Sequence, residues 1–265
     1  MRESTFDRIR EIVLSTSGIS LSERKEALVG ARVGKRMRAL GIAGYDSYLM
    51  YLEDNNAEVV GLLDAVSTNV TGFFREPHHF EFLRDEVDSW YSAGQRRFRF
   101  WCAACSTGEE PYSLAMVLKE ALPYPDSNVR ILATDISTEV LAECEHGTYD
   151  SRRMEPVHTD LRRRWFSATG RGEGRAWEPR PQLRDMVVFR RMNLSTPPFP
   201  MTGPLDAILC RNVMIYFDDA VRSRLLEEAQ RLLRPGGFFL VGHAESLAGM
   251  MSDLKYVKPS IYRKD

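Results

Sequence analysis

The sequence lacks the features that mark membrane, secreted or nucleic-acid-binding proteins. Its 265 residues carry a formal net charge of −1, so any electrostatic recognition must come from local patches. No apolar run approaches the roughly 18 residues of a membrane span, and the polar start MRESTFDRIR has no signal-peptide h-region. With 43% hydrophobic residues the chain can still bury a sizeable core. We therefore expect a globular, cytoplasmic protein with no direct membrane insertion.

Cysteine is scarce, and its spacing argues against a metal centre. Of the four cysteines, Cys102 and Cys105 form a lone C-x-x-C, a spacing that occurs in redox motifs and in half of some zinc sites. No second pair of Cys or His residues has metal-ligand spacing. We therefore predict that no metal is bound and that the thiols are reduced and mostly buried.

The most informative stretch runs from Phe98 to Met116. A short aromatic run predicts a buried strand, small residues interrupt it at 103–108, and an apolar periodicity typical of a helix restarts at Pro111. In an open α/β sheet such a loop lies at the carboxyl edge, where ligands bind. The pattern Gly-x-Gly-x-x-Gly is absent, with only Gly108 present, which argues against a dinucleotide. We predict that this loop holds one side of another cofactor.

An acidic residue follows the next predicted strand. The strand 129–134 ends at Asp135, some thirty residues after the first loop. At this position a carboxylate can accept hydrogen bonds from both hydroxyls of a ribose. The alternative is that Asp135 caps the helix predicted over 137–145, a role that Ser137 could also fill.

The α/β pattern continues toward the C-terminus with one long interruption. Residues 146–185 form a charged, glycine-rich segment, and beyond it Met186 to Phe189 is predicted to return as a strand. For this interruption we predict a small antiparallel subdomain built on Trp177 to Phe189. Beyond it the sequence predicts a strand at 205–210, a helix at 219–233, a tight turn at 234–237, a strand at 238–242 and a final antiparallel hairpin around Val257 and Ile261.

The N-terminal residues 1–66 are predicted to be helical, and the second helix carries a local positive patch. Between residues 24 and 38 there are six basic side chains and one acidic side chain. An ordinary solvated helix face is one interpretation. The imbalance of sign favours a docking surface for an acidic partner, whereas nucleic acid is disfavoured because the patch lacks interleaved aromatic residues.

Five motifs, in this order, resemble the chemotaxis receptor methyltransferases of the CheR family: STNVTGFFREPHHF, WCAACSTGEEPYSLAM, ATDIS, CRNVMIYF, and LRPGG followed by GHAES. The resemblance covers nearly the whole chain. It implies an α/β, Rossmann-like methyltransferase fold that depends on S-adenosylmethionine and has a seven-stranded mixed sheet. It further implies a helical N-terminal domain over 1–66, an interdomain linker and helix over 67–90, and a methyltransferase domain over 91–265 whose segment 146–189 contains an inserted antiparallel β-subdomain.

The resemblance also implies a reaction and a set of site residues. The family transfers a methyl group from S-adenosylmethionine to glutamate side chains on the cytoplasmic helical bundle of chemoreceptors. Carried over by motif, the cofactor-binding residues would be Asn69, Thr71, Arg75, Glu110, Asp135, Asn193, Leu194, Arg211 and Asn212. Arg75 and Tyr216 would lie nearest the chemistry.

For the partners, the resemblance implies two contact regions. The side chains of the basic helix that would dock the receptor are Arg32, Lys35, Arg36 and Arg38, and docking would recruit the protein to membrane receptor arrays. In some family members the inserted β-subdomain binds a peptide at the receptor C-terminus by strand addition. The glycine-rich run 170–174 suggests such a loop here.

Two other functions stay open from the sequence alone. One is a methyltransferase that acts on a small molecule or RNA, and the absence of broad positive charge disfavours RNA. The other is a non-catalytic signalling module that binds S-adenosylmethionine. The presence of Arg75, Asp135 and Asn212 disfavours an inactive enzyme.

Overall fold

The computed structural model describes residues 3–123, 127–250 and 253–265. Met1 and Arg2, at the start of the predicted helical domain, lie outside the described residues. The first part of the chain forms the helices α1 (Glu3–Ser17), α2 (Glu26–Leu40), α3 (Tyr45–Asp54) and α4 (Asn56–Val66). These helices share a core that includes Phe6, Ile9, Val33, Tyr48 and Leu62. The prediction of a helical N-terminal part is therefore confirmed.

The rest of the chain alternates between helices and strands. Its elements are α5 (His78–Ser92), β1 (Arg97–Cys102), α6 (Glu109–Ala121), β2 (Asn128–Asp135), α7 (Thr138–His146), β3 (Tyr149–Asp150), α8 (Thr159–Trp165), β4 (Phe166–Thr169), β5 (Ala176–Pro179), α9 (Pro181–Arg184), β6 (Val187–Arg191), β7 (Leu205–Cys210), α10 (Asp219–Leu232), β8 (Leu233–Val241), β9 (Leu254–Lys258) and β10 (Ile261–Lys264).

Seven of these strands form one mixed sheet in the order β6-β2-β1-β7-β8-β10-β9. The first five are parallel, and β10 is antiparallel to both β8 and β9. The predicted seven-stranded mixed sheet and terminal hairpin are confirmed. The strand order reverses between β1 and β7, and at such a switch point the carboxyl ends of the strands leave a crevice for a ligand.

The central strands are covered on both faces. Every residue of β7 is buried, as expected for a parallel strand with helices on either side. Trp101 in β1 is fully buried, and its indole N–H donates to Thr134 Oγ1 at 2.9 Å. This bond satisfies the one polar group of the largest core side chain.

Two sequence predictions in this part were wrong in detail. The inserted sheet consists of β3, β5 and β4, so it includes Trp177, whereas the predicted strand near Phe189 is β6 at the edge of the main sheet, parallel to β2. An apolar run of four or five residues does not say which sheet it joins. The predicted turn 234–237 lies within β8, where the pairing register shifts beside Leu205 and Ala207, as in a bulge.

The helical part packs against the carboxyl edge of the main sheet. The backbone N–H of Ser20 donates to the Tyr216 carbonyl at 2.8 Å, and Ile19 forms a β-bridge with Phe217. On another side, Asp64 in α4 accepts hydrogen bonds from the Thr138 N–H at 2.8 Å and the Thr138 hydroxyl at 2.6 Å. Within the described residues, no helix combines the length and the apolar character needed to cross a membrane.

Candidate functional site

A cleft that is partly open to solvent lies between the helical part and the carboxyl ends of β1, β2 and β7. The structure brings together all ten residues that the motifs assign to the cofactor or the chemistry. The residues that line the cleft include Asn69, Thr71, Arg75, Glu110, Asp135, Asn193, Leu194, Arg211, Asn212 and Tyr216.

The loop after β1 is fixed against Asp135. The backbone N–H of Ser106 donates to Asp135 Oδ2 at 2.9 Å, and the N–H of Ser137 donates to Oδ1 at 3.0 Å. Burial raises the pKa of Asp135, although these backbone donors act in the opposite direction. Ser137, not Asp135, caps α7, because its hydroxyl accepts from the Val140 N–H. The Asp135 carboxylate therefore keeps lone pairs for a ligand in the cleft.

Arg75 lies on a constrained interdomain loop. Its neighbours Phe74 and Glu76 both have positive φ values, 53° and 56°, a conformation that is uncommon for residues other than glycine. The Arg75 guanidinium donates to the Val70 carbonyl at 2.8 Å and has no carboxylate partner among the described residues. The loop thus presents an exposed, uncompensated positive charge at the cleft.

Arg211 lies at the centre of a buried charge network. Its side chain is only 1% exposed, and its Nη1 atom donates to Glu110 Oε2 at 2.8 Å. The Nη2 atom lies 3.3 Å from Glu76 Oε2 and donates to the Arg75 carbonyl. Burial raises the pKa of Glu110, and the nearby guanidinium opposes this shift. Two carboxylates therefore face one guanidinium.

Asn212 follows Arg211 in a left-handed conformation, with φ of 58°. Its side-chain amide donates to Glu76 Oε1 at 3.2 Å, and its backbone N–H donates to Glu245 Oε2 at 2.7 Å. The same Glu245 accepts from the backbone N–H groups of Gly242 and Ile215. The acidic residues Glu76 and Glu245 thus hold the carboxyl ends of β7 and β8 together.

Two other candidate residues join the helical part to the sheet. The Asn193 amide donates to the Thr16 carbonyl at 2.7 Å, and its oxygen accepts from the backbone and the hydroxyl of Ser195. Its side-chain groups are therefore already engaged within the protein. Tyr216 lies at the cleft with the Lys25 ammonium 4.8 Å from its ring centroid, a cation–π distance.

The four candidate docking residues of α2 divide into two pairs. Arg32 donates to the carbonyls of Ala65, Val66 and Ser67, so it caps the C-terminal end of α4. Arg36 makes two hydrogen bonds, at 2.9 and 2.7 Å, with the buried carboxylate of Glu58. Lys35 and Arg38, in contrast, are exposed.

The cysteines are free and buried, as predicted. Burial raises the pKa of the Cys102 and Cys210 thiols well above the usual value, which makes a thiolate nucleophile or metal ligand unfavourable. Among the described residues, no group of three or more His, Cys, Asp or Glu side chains could hold a metal ion.

Sequence reasoning missed several residues that organise the site. Glu76 stands inside the quoted motif FFREP, but only the fold brings it to Arg211, 135 positions later in the chain. Glu245 stands in the quoted GHAES, and its role became visible only through the three backbone N–H groups that it accepts from. The ring nitrogens of buried His79 have no hydrogen-bond partner, although Nδ1 lies 3.5 Å from Glu76 Oε2. Burial lowers the pKa of His79 to about 3, so it is neutral at pH 7.

The lining of the cleft fits S-adenosylmethionine. Apolar side chains such as Ile19, Ile136 and Leu194 suit the adenine ring, which needs a mostly apolar slot. The carboxylates of Glu110 and Asp135 are acceptors for ammonium or ribose hydroxyl groups. The excess of carboxylates over guanidinium in the Arg211 network is also favourable for a cationic sulfonium.

Comparison with known proteins gives a consistent result. Residues 4–67 match the all-alpha domain of CheR methyltransferases, and residues 69–262 match their SAM binding domain. Chemotaxis protein methyltransferase 2 of Pseudomonas aeruginosa is 41% identical over 97% of this chain and 91% of its own length. The chemotaxis protein methyltransferases of Borreliella burgdorferi and Salmonella typhimurium are each 35% identical, over 98% and 99% of this chain and 94% and 90% of their own lengths.

Proposed function

This chain belongs to the CheR methyltransferase family and uses S-adenosylmethionine, and from this premise we propose that it methylates glutamate side chains on the cytoplasmic helical bundle of chemoreceptors. The products are glutamyl methyl esters and S-adenosylhomocysteine, and the process is chemotactic adaptation. The observation that carries the proposal is the single cleft lined by all ten motif residues. The relatives named above are chemotaxis protein methyltransferases, and the match to this chain covers nearly their full lengths.

The cofactor is proposed to lie along the carboxyl edge of the sheet. Asp135 would accept hydrogen bonds from its ribose, and Glu110 would accept from the ammonium of its methionine part. Asn69, Thr71 and Arg75 would close the other side from the interdomain loop. The roles of Asn193 and Leu194 would be to shape the wall, because the polar atoms of Asn193 bond to Thr16 and Ser195.

The reaction needs little acid–base chemistry from the protein. A glutamate carboxylate is ionised at neutral pH, so no strong general base is required to activate it. When bound, the cofactor supplies an electrophilic methyl group on a cationic sulfur. The protein would contribute position, worth roughly 7–11 kcal/mol when nucleophile and methyl are held in line, and a cleft that excludes water from two ions that neutralise each other.

Arg75 is the proposed residue nearest the incoming carboxylate, and Tyr216 would line the substrate mouth with its hydroxyl. Because Arg75 is exposed and lacks a carboxylate partner in the described chain, it can orient a substrate without first breaking an ion pair. We expect Arg75→Ala to lower receptor methylation by about 10²-fold or more, since misplacement of the reacting groups by about 1 Å has such an effect. Near-normal turnover in a folded variant would contradict this role.

The identity of the methyl acceptor can be tested directly. The purified chain is incubated with labelled S-adenosylmethionine and with receptor membranes, total RNA or no acceptor. Base-labile methanol release from receptor protein identifies a carboxyl methyl ester. Label in RNA would instead favour a nucleic-acid methyltransferase, and cofactor binding without transfer would favour a non-catalytic module.

Receptor docking is proposed to use the exposed part of the basic helix. Lys35 and Arg38 would meet acidic side chains of the receptor bundle, whereas Arg32 and Arg36 would hold α2 against α4. We expect the Michaelis constant for receptor to rise with salt, because exposed charges are screened within about 8 Å at physiological ionic strength. Lys35→Ala should raise it with little loss of stability, and a salt-independent Michaelis constant would contradict the proposal.

The inserted β-subdomain offers a second contact. In its sheet β4 pairs only with β5 among the described strands, and we propose that a receptor C-terminal peptide adds to the outer edge of β4, which has no strand partner there. We propose the domain division expected from the sequence, namely a helical N-terminal domain over 1–66, a linker and helix over 67–90, and a methyltransferase domain over 91–265 whose segment 146–189 contains the β-subdomain. Recruitment to membrane receptor arrays would follow from these two contacts.

A further inference from the structure

The loop that follows β1 has two faces. One face turns to the cleft and includes Ala103, Ala104 and Ser106. The opposite face includes Thr107 and Glu109, which do not line the cleft. Two residues that contact this rear face, Tyr149 and Arg153, come from the start of the inserted segment, so the position of the cleft face depends in part on contacts made behind it.

Tyr149 fixes the backbone of the loop from behind. It is the first residue of β3, its ring is buried, and its hydroxyl donates to the Thr107 carbonyl at 2.9 Å. A Cβ atom on Gly108 would lie 2.6 Å from the same hydroxyl oxygen. Gly108 has φ of 95°, a conformation that glycine adopts readily. Tyr149 therefore packs directly against the bare backbone of the loop.

Arg153 fixes the side chains of the same face. Its Nε and Nη2 atoms donate to Glu109 Oε1 at 2.8 and 2.5 Å, and Nη2 also donates to the Thr107 hydroxyl at 2.6 Å. The Thr107 hydroxyl in turn donates to Glu109 Oε2 at 2.8 Å. Glu109 is only 2% exposed, so its carboxylate depends on this guanidinium for compensation of its charge.

We infer that Tyr149 and Arg153 are positioning residues for the cofactor. They hold the rear of the loop so that the Ser106 N–H stays on Asp135 and the cleft face keeps the shape that the cofactor needs. The inserted segment is thus a structural support of the cofactor site as well as a candidate contact for the receptor. This inference rests on the proposed use of the cleft for S-adenosylmethionine.

The test is calorimetric binding of S-adenosylhomocysteine to the full chain and its variants. Arg153→Ala should weaken binding by about tenfold or more, because charge-assisted hydrogen bonds are lost. Tyr149→Phe, which removes one hydroxyl and keeps the packed ring, should weaken it by about two- to tenfold. Arg152→Ala is the matched control, because Arg152 is exposed, and its binding should equal that of the wild type.

Kinetics distinguish positioning from a general structural role. The Michaelis constant for S-adenosylmethionine should rise with the dissociation constant, while turnover at saturating cofactor and the Michaelis constant for receptor stay near wild-type values. Arg153→Lys, which keeps the charge but loses the planar fork, should fall between Arg153→Ala and the wild type.

Three outcomes would overturn the inference. Unchanged binding by folded Arg153→Ala would do so, as would an equal loss in Arg152→Ala. If Arg153→Ala does not fold, unchanged binding by Tyr149→Phe decides against it. Failure of the wild type itself to bind S-adenosylhomocysteine would overturn both the inference and the proposed function, whereas wild-type binding with unaffected variants would overturn the inference alone.

Discussion

Replacing Arg211 by methionine should destabilise the protein far more than the loss of a surface charge. The guanidinium is almost completely buried and contacts Glu110, Glu76 and the Arg75 carbonyl. Methionine is long enough to occupy much of the same space but leaves both carboxylates without their cation. The variant therefore isolates the electrostatic part of the network from its packing.

The size of the effect follows from the burial of the pair. Removing one partner of a buried ion pair costs about 3–5 kcal/mol, because an uncompensated charge stays in a poorly solvated place. For chains near this size each kcal/mol lowers the unfolding midpoint by about 2–4 °C, so the midpoint should fall by about 6–20 °C at neutral pH.

The loss should shrink as the pH falls. Burial already raises the pKa of Glu110. For Glu76 burial acts in the same direction, but the backbone N–H of His243 and the charge of Arg211 together lower its pKa. Without Arg211 both pKa values rise, and the penalty for the charged form disappears as pH falls through these raised values. His79 adds to this trend, because burial first and the charge of Arg211 second lower its pKa to about 3. Removing Arg211 should raise this pKa, so the variant binds a proton at His79 more readily at low pH.

Thermal unfolding followed by circular dichroism at pH 8 and pH 5.5 measures these differences. The double variant Arg211→Met, Glu110→Gln should recover part of the loss at pH 8, since it removes one of the two uncompensated charges. An equal loss at both pH values, or a double variant that is less stable than Arg211→Met, would refute the electrostatic reasoning.

Two further outcomes are expected. Gly108→Ala should lower the free energy of unfolding by about 1–3 kcal/mol, the usual cost of a positive φ for other residues, and should weaken cofactor binding because the added Cβ meets the Tyr149 hydroxyl. Denaturant unfolding measures the loss of stability. Gly72→Ala is the near-neutral control, because no heavy atom lies within 4 Å of its added Cβ. The four buried cysteines should resist a thiol reagent in the native protein and react only on unfolding, so rapid native labelling of Cys102 or Cys105 would contradict the buried, high-pKa state.

The sequence was sufficient to predict most elements of the fold. Hydrophobic periodicity located β1, β2 and β7 within a residue or two, because each strand contains a short apolar run, which is buried throughout in β7 and in part in β1 and β2. It located the strand near Phe189 but assigned it to the inserted sheet, because strand pairing depends on which neighbour is available in the fold and not on local pattern. The bulge at 234–237 was predicted as a turn, because Pro and Gly are typical of turns and of irregular positions within strands.

The residues that line the site were predictable, but the contacts that hold them in place were not. Family motifs identified residues that line the cleft, including Asn193, which no local pattern would have indicated. They did not indicate that Asn193 and Arg36 would be engaged by Thr16 and Glu58. The Asn193–Thr16 contact exists only after the helical part packs on the sheet, and the Arg36–Glu58 pair exists only after α2 packs against α4.

The β-bridge between Ile19 and Phe217 joins the helical part to the sheet beside the cleft, whose walls come from both parts of the chain. A molecule bound there touches both parts and therefore acts as a joint between them. By mass action it favours their docked arrangement by RT ln(1 + [L]/Kd), about 2.7 kcal/mol at a hundredfold excess over Kd. The methyl donor would then do more than react: its concentration would set how firmly the N-terminal helices are held against the sheet.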